Sequence, residues 1–244
     1  MTTVSSRSLL PQSKQRKMNN KYHIKAALID MDGVLYDSMP NHARAWMGVM
    51  RHAGIKARPE EFFLNEGCTG AWMIDHKIRE AFGRPATDDE KVELYALKKK
   101  FFVEQPPVNV MPGAQQMICE LQRHGIVTVL VTGSGQNSLL DRLESDYPGA
   151  FPPERRVTSA SVTHGKPHPE PYLRGLELAG VRADEAIGID NAPLGVRSAH
   201  AAGVFTVGVV TGPVPSTELA AGGADIVYNS MMECAENISQ LLER

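Results

Sequence analysis

The residues with the plainest chemical meaning are Asp30 and Asp32, in the run Ala-Ala-Leu-Ile-Asp-Met-Asp-Gly-Val-Leu over residues 26–35. Two carboxylates this close repel unless a cation or a shared proton comes between them. A Mg²⁺ ion would take oxygen from the first acid and from a backbone carbonyl nearby. The second acid, with a raised pKa, could hand a proton to a leaving oxygen. Taken alone, an Asp-x-Asp-Gly run is common and describes two acids on a turn just as well. Three further polar groups break that tie: Thr132-Gly133-Ser134, Lys166 and Asp190-Asn191.

Each of these groups stands at the end of an apolar run, or in a loop beyond one. Ala26–Ile29, Ile126–Val131, Ala186–Ile189 and Val204–Val210 read as buried parallel strands, with weaker strands at Val157–Ala160 and Ile226–Tyr228. Helical patterns separate them: Pro112 to His124, a segment holding Leu139 to Leu143, one ending at Ala179, one ending at Ala202, and Met232 to Leu242. Alternation of this kind implies an α/β fold, a doubly wound parallel sheet. Ligands of such sheets bind beyond the carboxyl ends of the strands, so the four groups would share one mouth.

Residues 41–107 break the alternation and read as an all-helical insertion. Asn41 is the expected N-cap of its first helix, which Gly54 ends, and Pro59 starts another. A third helix covers Ala71 to Phe82. Thr87-Asp-Asp-Glu90 is a capping box opening a fourth helix that runs to Glu104. The Lys98-Lys99-Lys100 run near its end reads as a solvated face, and Trp46 and Trp72 as core of the insertion. The organisation expected is a leader over 1–21, a core over 22–40 and 108–244, and the helical block over 41–107.

Composition excludes several classes. The chain has 244 residues, 42% hydrophobic and 22% charged, with a net charge of −2, which gives no global argument for nucleic acid. No stretch approaches the roughly 18 consecutive apolar residues of a membrane span. Cys68, Cys119 and Cys234 are widely spaced and odd in number, fitting neither a disulfide framework nor a zinc site, so a cytoplasmic location is expected. The eight histidines show no clustered ligand pattern. Residues 1–25 carry Arg7, Lys14, Arg16, Lys17, Lys21 and Lys25 without an acid. That suits a disordered leader, with Met18 as a possible start, or a transit peptide. Oligomeric state is open, a monomer being favoured.

The four groups together suit phosphoryl transfer with a metal. Asp30 would attack phosphorus, and Lys166, the Thr132 hydroxyl and the Gly133 N–H would meet the phosphoryl oxygens. A cation is needed on magnitude alone: unit like charges about 4 Å apart cost roughly 4 kcal/mol at an effective dielectric of 20.

In order and content these motifs resemble the haloacid dehalogenase superfamily, in its phosphatase and phosphomutase branch. They are Asp30-Met-Asp32-Gly33-Val34, Val131-Thr132-Gly133, Lys166-Pro167 and Asp190-Asn191-Ala-Pro-Leu-Gly195-Val. The helical block stands where the β-phosphoglucomutase-like members carry a cap. The resemblance implies a Rossmann-like core, with Asp30 as nucleophile and Mg²⁺ ligand and Asp32 as acid/base and ligand through its carbonyl. Thr132, Gly133 and Lys166 would grip phosphate, and Asp190 with Asn191 would complete the metal site.

One departure matters. Similar sequences carry two acids at the fourth motif, whereas the second here is Asn191. Its amide oxygen binds Mg²⁺ but supplies no charge, and Glu66 in the cap loop is the candidate for the missing acid. Glu66 equally reads as an N-cap or solvent-facing acid. A carboxylate there argues against a phosphohexose mutase and towards a hydrolase of a small phosphorylated metabolite or pyrophosphate, and the chain looks most like the superfamily's inorganic pyrophosphatases. His42 reads either as a donor to bound phosphate or as hinge packing, and Ser134 as a substrate contact or a helix cap. His164 and His168 read as loop residues. A β-phosphoglucomutase-type transferase is the alternative activity. A non-catalytic phospho-ligand sensor is a third reading, disfavoured by the intact Asp30/Asp32 pair.

Overall fold

The computed structural model describes residues 23–242; the expectations for the leader over 1–21 lie outside them. Six strands form one sheet: β1 (Ala26–Ile29), β2 (Val127–Val131), β3 (Arg156–Val157), β4 (Ala186–Asp190), β5 (Phe205–Val209) and β6 (Ile226–Tyr228). They pair parallel throughout in the order β3-β2-β1-β4-β5-β6. The chain leaves β1 towards β2 on one side and returns to β4 on the other, so the strand order reverses between β1 and β4. Register sets their ends level, with Ile29 opposite both Leu130 and Ile189.

Four helices lie between β1 and β2: α1 (Met39–His52), α2 (Pro59–Leu64), α3 (Gly70–Phe82) and α4 (Asp88–Val103). They pack on their own apolar cluster, which includes Trp46, Val49, Met50, Phe62, Ile74 and Ile78. The capping box at the start of α4 is present: Glu90 N–H donates to the Thr87 hydroxyl at 3.1 Å and Thr87 N–H to Glu90 Oε2 at 2.8 Å. The core continues with α5 (Ala114–Arg123), the short α6 (Asn137–Leu140) and α7 (Leu143–Asp146), α8 (Glu170–Ala179), α9 (Pro193–Ala201), α10 (Ser216–Ala221) and α11 (Met231–Leu242).

The unbroken apolar run of β1 has a simple cause. Side chains alternate between faces of a strand. Ala27 and Ile29 join the apolar cluster under α5 and α11, whereas Ala26 and Leu28 join the one under α8 and α9. With both faces covered, no position is left for a polar side chain until the strand ends at Asp30.

Several local expectations are corrected. Asn41 is not an N-cap: α1 starts at Met39, and the Asn41 amide donates to the Pro106 carbonyl at 2.8 Å, tying together the two chain crossings into the helical block. Val157–Ala160 is not a full strand, because Ser159–Ser161 turn into a 3₁₀ segment. The stretch around Leu139–Leu143 breaks into α6 and α7. Trp72 is exposed and stacks on His76, whereas Trp46 is buried in the cap. Lys98 is the largest departure, being only 2% exposed. No helix among the described residues is long and apolar enough to cross a membrane.

Candidate active site

Strand register delivers Asp30, Thr132 and Asp190 to one edge, and the loop before α8 adds Lys166. The Lys166 ammonium donates to Asp30 Oδ1 and to Asp190 Oδ2, both at 2.7 Å, and all three side chains are buried. Tyr172 on α8 donates its hydroxyl to the same Asp190 oxygen at 2.7 Å, and Ala192 N–H donates to the other at 3.0 Å. The loop after β4 has no room to spare. A Cβ on Gly195 would stand 2.0 Å from Asp190 Oδ2, and one on Gly33, at φ +84°, 2.1 Å from the Asn191 amide nitrogen. Glycine is required at both places.

Asp32 sits in a different environment. The Ser38 hydroxyl donates to its Oδ1 at 2.5 Å, and His42 Nε2 lies 2.9 Å from the same oxygen. Lys98 Nζ meets the other nitrogen of His42, Nδ1, at 2.7 Å. An ammonium only donates, so His42 Nδ1 accepts, and Nε2–H points at Asp32. Burial pulls His42 below its usual value, and the Lys98 charge adds to that, so the ring is neutral near pH 7. Burial also carries Lys98 down to about 8. For Asp32, burial is the largest influence and acts upward. It is outweighed by His42, the Ser38 hydrogen bond and the Lys98 charge, which hold the carboxyl at about 2. With the ring neutral, we assign that effect to the two hydrogen bonds and Lys98 rather than to an imidazolium charge; Asp32 is ionised either way.

Asp30 goes the opposite way, to about 7, through burial against the pull of Lys166 and with Asp190 and Asp32 adding to it. The raised proton affinity expected of the second acid thus falls on the first: Asp30 is held high and Asp32, with its two hydrogen bonds and the Lys98 charge, is held low. Glu66, from the cap, lies among them. It is buried, accepts the Asn191 amide N–H at 3.1 Å, and is raised well above the carboxylate range by burial and by Asp30, Asp32 and Asp190. It is neither an N-cap nor solvent-facing.

The residues can hold a hard divalent cation. Asp30, Asp32 and Asp190 lie close enough to Glu66 to raise its pKa, and only Asp30 and Asp190 among these acids pair with Lys166. Asn191 Oδ1 and Glu66 Oε1 are buried without a hydrogen-bond partner. Unpaired buried oxygens are costly, and an all-oxygen donor set suits Mg²⁺. Beside them a cavity of about 60 Å³ is lined by Asp30, Asp32, His42, Glu66, Lys98 and Thr132 among others. Ser134 lines it too, its N–H donating to the Thr132 hydroxyl at 3.0 Å and its own hydroxyl accepting from Gln136 N–H at 3.3 Å. The cap loop presses close, since a Cβ on Gly133 would meet the Gly67 carbonyl oxygen at 2.5 Å.

Against known proteins, residues 24–203 match the family model of haloacid dehalogenase-like hydrolases. The chain belongs to that family. Hexitol phosphatase A of Escherichia coli is 30% identical over 207 residues, covering 85% of this chain and 91% of that one. The β-phosphoglucomutase of Bacillus subtilis is 26% identical over 201 residues, covering 78% and 84%. A provisionally assigned β-phosphoglucomutase structure from Bacteroides vulgatus is 39% identical, with a TM-score of 0.89 over 95% of both chains. A Rossmann-like core with an inserted helical cap is thus the fold of this haloacid dehalogenase-like chain.

Three residues of the site escape sequence reasoning. Lys98 lies inside a run of lysines that reads as surface. Tyr172 and Tyr95 come from helices with no motif; the Tyr95 hydroxyl accepts the Gly135 N–H at 3.2 Å, joining α4 to the loop after β2. His164 and His168 do have a partner, Glu170, at 2.9 Å and 4.0 Å.

Proposed function

We propose that the chain is a Mg²⁺-dependent phosphohydrolase for a small phosphorylated metabolite or pyrophosphate, working through an aspartyl-phosphate on Asp30. The observation that carries this is Lys166 bridging Asp30 and Asp190 beside the two unpaired oxygens of Asn191 and Glu66. Asp30, Asp190, Asn191 and the Asp32 carbonyl would hold the cation, with Glu66 reaching it or its waters, and it would offset the charge of the phosphoryl oxygens.

An Asp30 carboxylate oxygen bonds to phosphorus while the bond to the leaving oxygen breaks. Asp32 gives that oxygen a proton, then takes one from the water that attacks phosphorus and frees Asp30. In the resting site Asp32 is ionised, so it needs a proton first. An arriving phosphate dianion raises its pKa, and the ordered chain of Lys98, His42 and Asp32 is a route for that proton. Lys166 and the Thr132 hydroxyl hold the transferring group, and the closed cap excludes water until the leaving group has gone.

Deprotonation of Lys98 near pH 8 would remove the charge beside His42 and the proton that this route would pass to Asp32. Turnover is therefore expected to fall above about pH 8 in the wild type. Lys98→Met is expected to cost about 10–100-fold, a part of the usual 10²–10⁴ of acid–base catalysis, and to flatten that alkaline limb. A kcat profile from pH 6 to 10 that keeps its limb in the variant removes Lys98 from the proton route.

Substrate class is decided by a panel of hexitol and sugar phosphates, β-glucose 1-phosphate and pyrophosphate, scored for released phosphate. EDTA should abolish release and added Mg²⁺ restore it. The relatives named above support organic phosphates; the small cavity and Glu66 support a compact, metal-chelated substrate such as pyrophosphate. The Bacillus subtilis relative also keeps a mutase in view. Isomerisation of β-glucose 1-phosphate that needs a trace of bisphosphate, without net phosphate release, would make the chain a transferase.

A further inference from the structure

The loop that delivers Lys166 carries a second polar cluster on its outer side. His164, His168 and Glu170 each offer a ligand atom, all within 4.8 Å of one another. The side chains of His164 and His168 are 63% and 50% exposed, so the cluster faces solvent and is separate from the buried carboxylates of the active site. The imidazole ring centres lie 4.6 Å apart, with the planes tilted by 33°. His164 Nδ1 is 2.9 Å from Glu170 Oε2, and His168 Nδ1 is 4.0 Å from the same oxygen.

We propose that His164, His168 and Glu170 form a binding site for a borderline transition ion such as Zn²⁺, independent of the catalytic cation. Ligands about 2.0–2.2 Å from Zn²⁺ in a tetrahedron lie roughly 3.3–3.5 Å apart, and the two observed separations bracket that value. Two imidazoles and one carboxylate favour Zn²⁺, Ni²⁺ or Cu²⁺, whereas Mg²⁺ prefers an all-oxygen set. The site needs little rearrangement. Glu170 is already fixed, accepting Thr163 N–H at 2.6 Å and His164 N–H at 2.8 Å. His168 Nδ1 is already an acceptor, from Glu170 N–H at a long 3.2 Å, so its lone pair is open to exchange for a metal. Three protein ligands leave a fourth position for water. Because Lys166 lies between the two histidines in sequence, an ion here clamps the loop that presents the ammonium to Asp30.

The test is calorimetric titration of Zn²⁺ into the full chain with excess Mg²⁺ present, beside the His164→Ala/His168→Ala double variant. The wild type is expected to take up one Zn²⁺ that the double variant does not. The variant's loss of affinity should exceed the roughly 10–100-fold that losing an outer-shell partner costs. Its Mg²⁺-supported turnover should stay within about twofold, as for exposed positions outside the site. Anomalous diffraction at the zinc edge on wild-type crystals decides the matter even if the variant folds poorly. A peak between the two rings and Glu170 supports the site; no peak there, or equal Zn²⁺ uptake by wild type and a folded variant, overturns it.

Discussion

Asp30→Asn is expected to lower turnover by on the order of 10⁴-fold or more, since an amide cannot form the acyl phosphate. The side chain is close in shape, so Lys166 keeps Asp190 as its partner and the loop stays in place. Stability should move the other way. Burial lifts the Asp30 carboxyl in the fold from 3.8 to about 7. An acid raised on folding adds nothing below its unfolded value; it penalises the folded state as pH climbs from about 4 to 7, and fully above 7. With EDTA present the variant should therefore melt above the wild type at pH 8, by roughly 2–4 °C for each kcal/mol relieved, and show no gain at pH 4. A variant that turns over at near wild-type rate would remove Asp30 as nucleophile. One that gains equally at both pH values would show that the carboxyl is not strained in the fold.

Lys166→Met is expected to damage both properties. It keeps the apolar stem of the side chain but leaves Asp30 and Asp190, both buried, without the ammonium that bridges them. Breaking a buried pair from one side costs about 3–5 kcal/mol, visible as a lower midpoint in urea at pH 7.5. The loss should shrink as pH falls, because without the ammonium that lowers its pKa Asp30 takes up a proton at higher pH than in the wild type. Turnover should fall by about 10²–10³, as when one preorganised donor to a developing charge is removed. Equal stability at pH 7.5 would mean that the ammonium does not hold the two acids together.

The motif residues were readable because they stand where apolar runs must stop. Asp30 and Asp190 end strands covered on both faces, and Gly33 and Gly195 are needed where backbone meets side chain. Lys98 reads as surface although the signal for burial is present in the sequence. Leu94, Tyr95, Phe101 and Phe102 occupy the positions three and four residues either side of it, which places Lys98 on the inward face of α4. Its two lysine neighbours concealed this. Tyr172 had no such signal, because only the fold brings α8 over the end of β4. Asn41 looked like a cap because local pattern cannot show the Pro106 carbonyl, 65 residues away.

The Asn191–Glu66 hydrogen bond joins core to cap at the place proposed for the cation. If Glu66 helps to hold that ion, binding and lid position share a single equilibrium. Whatever fraction of the affinity comes from the lid's carboxylate, filling the site must favour the shut form by the same factor. Chelators would then do more than stop the chemistry: they would loosen the hinge, and protease sensitivity of the two crossings should rise along with metal loss.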